Sequence, residues 1–327
     1  MIKIPGFIDI QVNGFMGIDF SNNELSEKTF INACEMLLER GTAGFLATVI
    51  TSPAETYQQN LRIIAKAMRL PELKGRLLGI HAEGPFLSSQ PGAVGAHNPA
   101  WVKKPEIDFF KQMQDWAEGN IKLLTIAAEN PCSEQLTEYA SGNGVTVSLG
   151  HQLALSPDLR KCADAGAKLL THLGNGLPNE INRHHNPIFA GIAEDRLTAM
   201  IITDGHHLPP ALIKTFIRAK GADKIIVTSD ASPIAGMPPG TYHVLGNLAV
   251  IEESGLLHNP EKKCLVGSSA TMLTCVNYLA SLNLLSPEDL IKVSFTNPLK
   301  AINLTPDAIQ SQYEYTWNSA ENKFVRI

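Results

Sequence analysis

Leu77-Leu78-Gly79-Ile80-His81-Ala82-Glu83 is a short apolar run that ends in two side chains able to bind a metal or move a proton. The same arrangement recurs along the chain. Val145-Thr146-Val147-Ser148-Leu149-Gly150 runs into His151, and Ala167-Lys168-Leu169-Leu170-Thr171 runs into His172. Ala199-Met200-Ile201-Ile202-Thr203 runs into Asp204, His206 and His207, and Lys224-Ile225-Ile226-Val227-Thr228-Ser229 runs into Asp230. As parallel strands of one barrel, these runs would end at a common mouth. Residues far apart in sequence would meet there, where barrel enzymes place their chemistry.

Strands are expected near 4–12, 43–50, 76–82, 121–128, 144–150, 167–172, 198–204 and 224–229. Amphipathic helices are expected between them, near 25–40, 53–69, 105–118, 132–142, 156–165, 187–194 and 209–220. Continuous apolar strands imply burial on both faces. Eight of them alternating with helices predict an α/β fold, a (β/α)8 TIM-type barrel, over an open doubly wound sheet. No Gly-x-Gly-x-x-Gly turn speaks for a dinucleotide fold. Segment 233–268 is rich in Gly and Pro and then β-like, which predicts a hairpin excursion over the mouth. Helices near 269–282 and 287–303 complete a barrel unit spanning 1–304. The tail 305–327 shows no strong pattern.

The 327 residues are 44% hydrophobic with a net charge of −5, enough apolar material for a sizeable core. The mild acidity argues against a nucleic-acid or membrane-surface partner, because both need concentrated Lys and Arg. No apolar run approaches the roughly 18 residues that span a bilayer, and the N-terminus lacks the apolar core of a signal peptide. Cys34, Cys132, Cys162, Cys264 and Cys275 form no Cys-x-x-Cys pair. Their pattern fits a reduced, cytoplasmic protein with most of them packed as small hydrophobes.

Glu83, His151 and His172 offer one carboxylate and two imidazoles, a donor set that suits a zinc-like divalent ion with a position left open for water. Each of these histidines alone reads first as a hydrogen-bonded strand-end residue; the metal reading rests on the three together. Asp230 reads either as a turn-forming Asp before Ser232-Pro233 or as a general base beside the metal. The Gln11 and Asn13 amides, poor zinc ligands, fit hydrogen bonding at the end of the first strand. Arg183 reads as a surface loop residue or an anion contact. His97, His206 and His207 stay open on the same grounds.

Pro5-Gly6-Phe7-Ile8-Asp9 resembles the opening barrel strand of the amidohydrolase superfamily. His81-Ala82-Glu83-Gly84-Pro85-Phe86, Gly95-Ala96-His97-Asn98-Pro99, Gly150-His151, Thr171-His172-Leu173-x-Asn175, Asp204-Gly205-x-His207 and Ser229-Asp230-Ala231 follow in order. Together they resemble the N-acetylglucosamine-6-phosphate deacetylase family, over about residues 5–303. The resemblance implies metal-dependent removal of the acetyl group from an amino-sugar 6-phosphate. It assigns Glu83, His151 and His172 to the metal, Asp230 to acid/base catalysis, and His97 to the sugar and the reacting carbonyl. Asn175 and Gly176 match sugar-phosphate contacts, and Arg183 and His207 match further ones. In family members of this type the arginine comes from the neighbouring subunit, which implies a homodimer.

The resemblance has two departures. Many amidohydrolases carry His-x-His after the first strand and bind two metals. Gln11-Val12-Asn13 stands here, as in the branch that uses one, so a single divalent ion, zinc by its donor set, is expected. Gln11, Asn13 and His81 are then expected to support the ligands from behind. The family's accessory β-sandwich is also expected to be absent or rudimentary. Competing expectations are the N-acetylgalactosamine 6-phosphate epimer as substrate, a more distant amidohydrolase activity on a nucleobase or cyclic amide, and a sugar-phosphate sensor without catalysis.

Overall fold

The computed structural model describes residues 2–327. Eight parallel strands form one sheet: β1 (Phe7–Val12), β2 (Thr42–Ile50), β3 (Leu77–Glu83), β4 (Ile121–Ile126), β5 (Thr146–Leu149), β6 (Leu169–Leu170), β7 (Thr198–Ile202) and β8 (Ile225–Thr228). They lie side by side in sequence order. Helices α1 (Glu27–Leu38), α2 (Ala54–Ala67), α3 (Ile107–Trp116), α4 (Ser133–Gly142), α5 (Ser156–Asp164), α6 (Pro187–Ala193) and α7 (Pro210–Lys220) separate them. β1 and β2 are buried at every residue, which explains why their sequences do not alternate.

The helices follow local rules. Ser26 caps α1 by accepting from the Thr29 N–H, and the Thr29 hydroxyl accepts from the Ser26 N–H. Phe30, Ala33, Cys34, Leu37 and Leu38 then share the buried face. Each large apolar side chain so buried contributes about 1.5–3 kcal/mol. α7 opens on Pro209 and Pro210, whose missing N–H groups lie where no intrahelical partner exists.

Asp9 closes the barrel. Its buried carboxylate accepts from the Thr228 hydroxyl at 2.7 Å, the Ser229 N–H at 3.2 Å and the Ser229 hydroxyl. Beyond it Val12 pairs with Ala231 in a parallel bridge, and Asn13 N–H donates to the Ala231 carbonyl at 2.8 Å. The lower interior is filled by Ile8, Ile10, Leu46, Leu123, Met200 and Ile226. Phe295, Leu299 and Ile302 join that cluster from the C-terminal helical segments and plug the barrel floor. All chemistry is thereby left to the opposite end.

After β8 the chain leaves the barrel and builds more than a single hairpin. Strands β9 (Gly240–Val244), β10 (Asn247–Ile251), β11 (Leu257–Asn259) and β12 (Cys264–Leu265) form a four-stranded antiparallel sheet. It has its own small core of Ile234, Val244, Ala249, Ile251, Leu257 and Val266. The sheet forms a lid at the mouth, held by Asn247 Nδ2 on the Ala96 carbonyl at 3.2 Å and by His206 Nε2 on the Ser254 carbonyl at 3.1 Å. α8 (Met272–Ser281) then returns to the barrel wall. The helix expected over 287–303 is interrupted by a π-helical turn at Lys292–Thr296.

The tail corrects the sequence reading. It is patterned: Tyr315–Asn318 and Lys323–Arg326 pair antiparallel, and Lys3–Ile4 joins Tyr315–Asn318 to make a three-stranded sheet. Tyr315 and Phe324 from this sheet pack on Phe7 at the base of β1. Cys34, Cys162 and Cys275 are buried as small apolar groups, while Cys132 is exposed and Cys264 half-buried; all five are free. No helix among the described residues is long and apolar enough to cross a membrane.

Candidate active site

Glu83 is the last residue of β3, and His151, His172 and Asp230 follow β5, β6 and β8 within two residues. They converge although up to 147 residues of chain separate Glu83 from Asp230. His172 Nε2 lies 3.1 Å from Glu83 Oε1 and 3.1 Å from His151 Nε2, and His151 Nε2 lies 3.3 Å from Glu83 Oε1. Three donors of a tetrahedral ion with bonds of about 2.0–2.1 Å stand at this separation. His151, His172 and Asp230 all have left-handed backbones, with φ of 49°, 29° and 49°. Such strain in non-glycine residues collects where side-chain direction matters more than backbone comfort.

The hydrogen bonds behind the cluster set the roles of the imidazoles. His151 Nδ1 lies 2.8 Å from the Ala93 carbonyl, so it carries the proton and Nε2 presents a lone pair. His97 has the opposite arrangement. Its Nδ1 accepts from the Thr51 backbone N–H at 3.4 Å and lies 3.0 Å from the Thr51 hydroxyl. Its proton therefore sits on Nε2, which points toward Glu83 Oε2 at 3.9 Å. Glu83, His97 and His151 offer donor atoms that all lie within 4.8 Å of one another. By tautomer, His97 is a hydrogen-bond donor beside the cluster, while His172 Nε2 faces Glu83 and His151 and its buried Nδ1 has no hydrogen-bond partner.

Charge fits a cation. Burial alone would raise the Glu83 carboxyl, but its contacts with His151 and His172 outweigh burial and hold it well below the usual range. Burial, then His151, lower His97 to about 3, so it is neutral. Burial, then the Glu83 charge, push Asp230 up to about 6. A buried carboxylate facing two imidazole lone pairs would be poorly balanced without a positive ion between them. These residues therefore fit a divalent metal.

The first strand brings two amides to the cluster. Gln11 Nε2 donates to Glu83 Oε1 at 2.9 Å, and Asn13 Nδ2 donates to Asp230 Oδ1 at 2.7 Å. His81 instead bridges neighbouring strands, with Nε2 2.8 Å from the Thr125 hydroxyl and Nδ1 3.4 Å from that of Thr48; burial lowers it to about 4. Two glycines back the His151 ring. A Cβ on Gly95 or Gly176, both left-handed, would come within 2.9 Å of it. This packing was missed in the sequence, where Gly95 stood only as part of Gly-Ala-His and Gly176 only as a phosphate contact.

A cavity of about 650 Å³ opens from the cluster. Asn13, His97, Asn175, Gly176, His207 and Asp230 line it, with Leu245, His258 and Lys263 from the lid. His207 Nδ1 donates to Asp204 Oδ2 at 2.8 Å, which fixes the ring. Burial would raise the Asp204 carboxyl, but the His207 contact prevails and holds it at about 2. Arg183 is exposed on the loop before α6 and is outside this lining.

No family model matches the chain. Individual relatives do. The N-acetylglucosamine-6-phosphate deacetylase of Homo sapiens is 33% identical over 317 residues, which span 93% of this chain and 75% of the relative. The chain belongs to the N-acetylglucosamine-6-phosphate deacetylase family. The deacetylase of that name from Bacillus subtilis is 30% identical over 308 residues, 93% of this chain and 76% of the relative. An N-acetylgalactosamine-6-phosphate deacetylase from Escherichia coli O157:H7 is 26% identical over 302 residues, 92% and 78%. Among solved structures, the family's enzyme from Mycobacterium smegmatis superposes with a TM-score of 0.88 at 25% identity, covering 99% of this chain and 85% of that one. The Pasteurella multocida deacetylase gives 0.86 at 26%, covering 99% and 84%.

Proposed function

We propose that the protein removes the acetyl group from N-acetylglucosamine 6-phosphate, giving glucosamine 6-phosphate and acetate. The observation that carries this reading is the buried Glu83–His151–His172 cluster with Asp230 and the Nε2–H of His97 facing one cavity, in a chain of this family. Glu83, His151 and His172 would hold one divalent ion, with zinc suited to the donor set. When bound, the ion supplies Lewis acidity toward water and the acyl oxygen. Asp230 takes the proton of the attacking water on its carboxylate. His97 Nε2–H donates to the acyl oxygen as negative charge develops there. Asp230 then returns the proton to the amine nitrogen as the C–N bond breaks. Asn175, Gly176 and His207 hold the remote sugar phosphate, and that binding orients the amide.

Arg183 is assigned to the pocket of a second copy in a homodimer. The support is local: Arg183 is outside its own cavity, and exposed Ile181 and Phe189, at 37% and 54%, flank its loop. The three-stranded sheet at the barrel base is read as a rudimentary form of the family's accessory layer. Five free cysteines support a reducing compartment such as the cytoplasm.

The test is acetate release from N-acetylglucosamine 6-phosphate, with chelator and then with re-added metal. Turnover that is lost with chelator and restored by metal is expected. Absence of turnover in metal-loaded protein would sink the reading. The galactosamine epimer is assayed beside it, because one relative carries that specificity in its name.

A further inference from the structure

Two turns line the cavity beyond the cluster. One is the turn after β6 with Asn175 and Gly176; the other is the turn Pro260–Lys263 that joins β11 to β12 in the lid. Lys263 is the one Lys or Arg among the residues that line it. The neighbouring Lys262 is already engaged, its Nζ donating to Asn247 Oδ1 at 2.6 Å. Lys263 forms no ion pair among the described residues. Its backbone φ is +52°, a conformation that glycine or asparagine would adopt at less cost.

A phosphate monoester carries close to two negative charges at neutral pH. A phosphate that leaves water for the cavity needs a cationic or hydrogen-bonding partner of its own, remote from the metal cluster that meets the acetyl end. Arg183 of the same chain does not line the cavity. We infer that Lys263 contacts the 6-phosphate of the substrate from the lid and serves as this chain's own cation for that group. The inference rests on the sugar-phosphate reading above. The phosphate then joins Lys263 on the lid to the Asn175–Gly176 turn on the barrel, so occupancy also secures the lid.

The test is calorimetric titration of the metal-loaded protein with glucosamine 6-phosphate and with glucosamine, for the wild type, Lys263→Gly and Lys263→Arg. Glycine suits the left-handed turn, so a loss in that variant reports the side chain and not a distorted hairpin. Lys263→Gly should weaken binding of the 6-phosphate by about tenfold or more, the scale of one charged hydrogen bond. The preference over glucosamine should shrink with it, and Lys263→Arg should restore most of it. Unchanged 6-phosphate affinity in Lys263→Gly would overturn the inference. A wild type that binds both sugars equally would overturn it too. Binding of the 6-phosphate without acetate release would overturn the deacetylase reading and leave Lys263 in its role.

Discussion

Gln11 Nε2 donates to Glu83 Oε1 at 2.9 Å, so the first barrel strand orients the carboxylate that the third strand brings to the cluster. Gln11→Ala should free the carboxylate and weaken metal affinity by about 10–100-fold. Elemental analysis should find about one tight ion in the wild type. Two equally tight ions would contradict the supporting role of Gln11.

Asp230 is half-buried and bonded to Asn13, and in the proposed mechanism it moves a proton in both halves of the reaction. Asp230→Asn keeps the shape and removes the base. Acetate release should fall by about 10²–10⁴-fold while metal content stays unchanged. Near-normal turnover would remove Asp230 from the mechanism.

Gly95 leaves no room between its Cα and the His151 ring: an added Cβ would lie 2.9 Å from Cε1. Gly95→Ala should displace the imidazole and raise the metal dissociation constant. Gly144→Ala is the matched control, since Gly144 is also left-handed, at φ 80°, with nothing within 4 Å. Both variants should lose about 1–2 kcal/mol of stability from backbone strain. Only Gly95→Ala should lose metal; equal retention in the two would show that the ring has space.

Asp19 accepts from Ser21 N–H at 2.7 Å and from the Leu245 N–H at the lid's first turn. Burial raises its pKa from 3.8 to about 6. The folded state therefore holds the proton more tightly than the unfolded chain. The stabilising contribution is complete below pH 3.8 and is lost as pH climbs through 6. Asp19→Asn keeps an acceptor and has no charge to bury. Its stability relative to wild type should grow between about pH 4 and 6 and then level off, by about 3 kcal/mol. Urea unfolding across that range measures it, and a pH-independent difference would refute the assignment.

Much of the barrel was legible because parallel strands buried on both faces leave continuous apolar runs, and the turn chemistry marks where they stop. That logic located Glu83, His151, His172 and Asp230, each at or just past a strand end. It could not pair Gln11 with Glu83 or Asn13 with Asp230, because those contacts cross 72 and 217 residues and leave no periodic trace. The strand Tyr315–Asn318 escaped for a similar reason, its partner Lys3–Ile4 lying at the other end of the chain. Lys263 carried no local signal either. A lysine in a polar turn looks solvated until the fold turns it toward a cavity.

The Asp9 seam has a consequence for biosynthesis. Its partners Thr228 and Ser229 lie 219 and 220 residues downstream. β8, the last neighbour of β1, is therefore completed only when the chain has grown 219 residues past Asp9. Until then one side of β1 is an unpaired edge with a naked carboxylate in its middle. An open apolar edge invites pairing with another nascent chain, and a charge on it discourages that. An ionised Asp9 at that open edge would discourage such pairing before it joins the seam of the finished barrel.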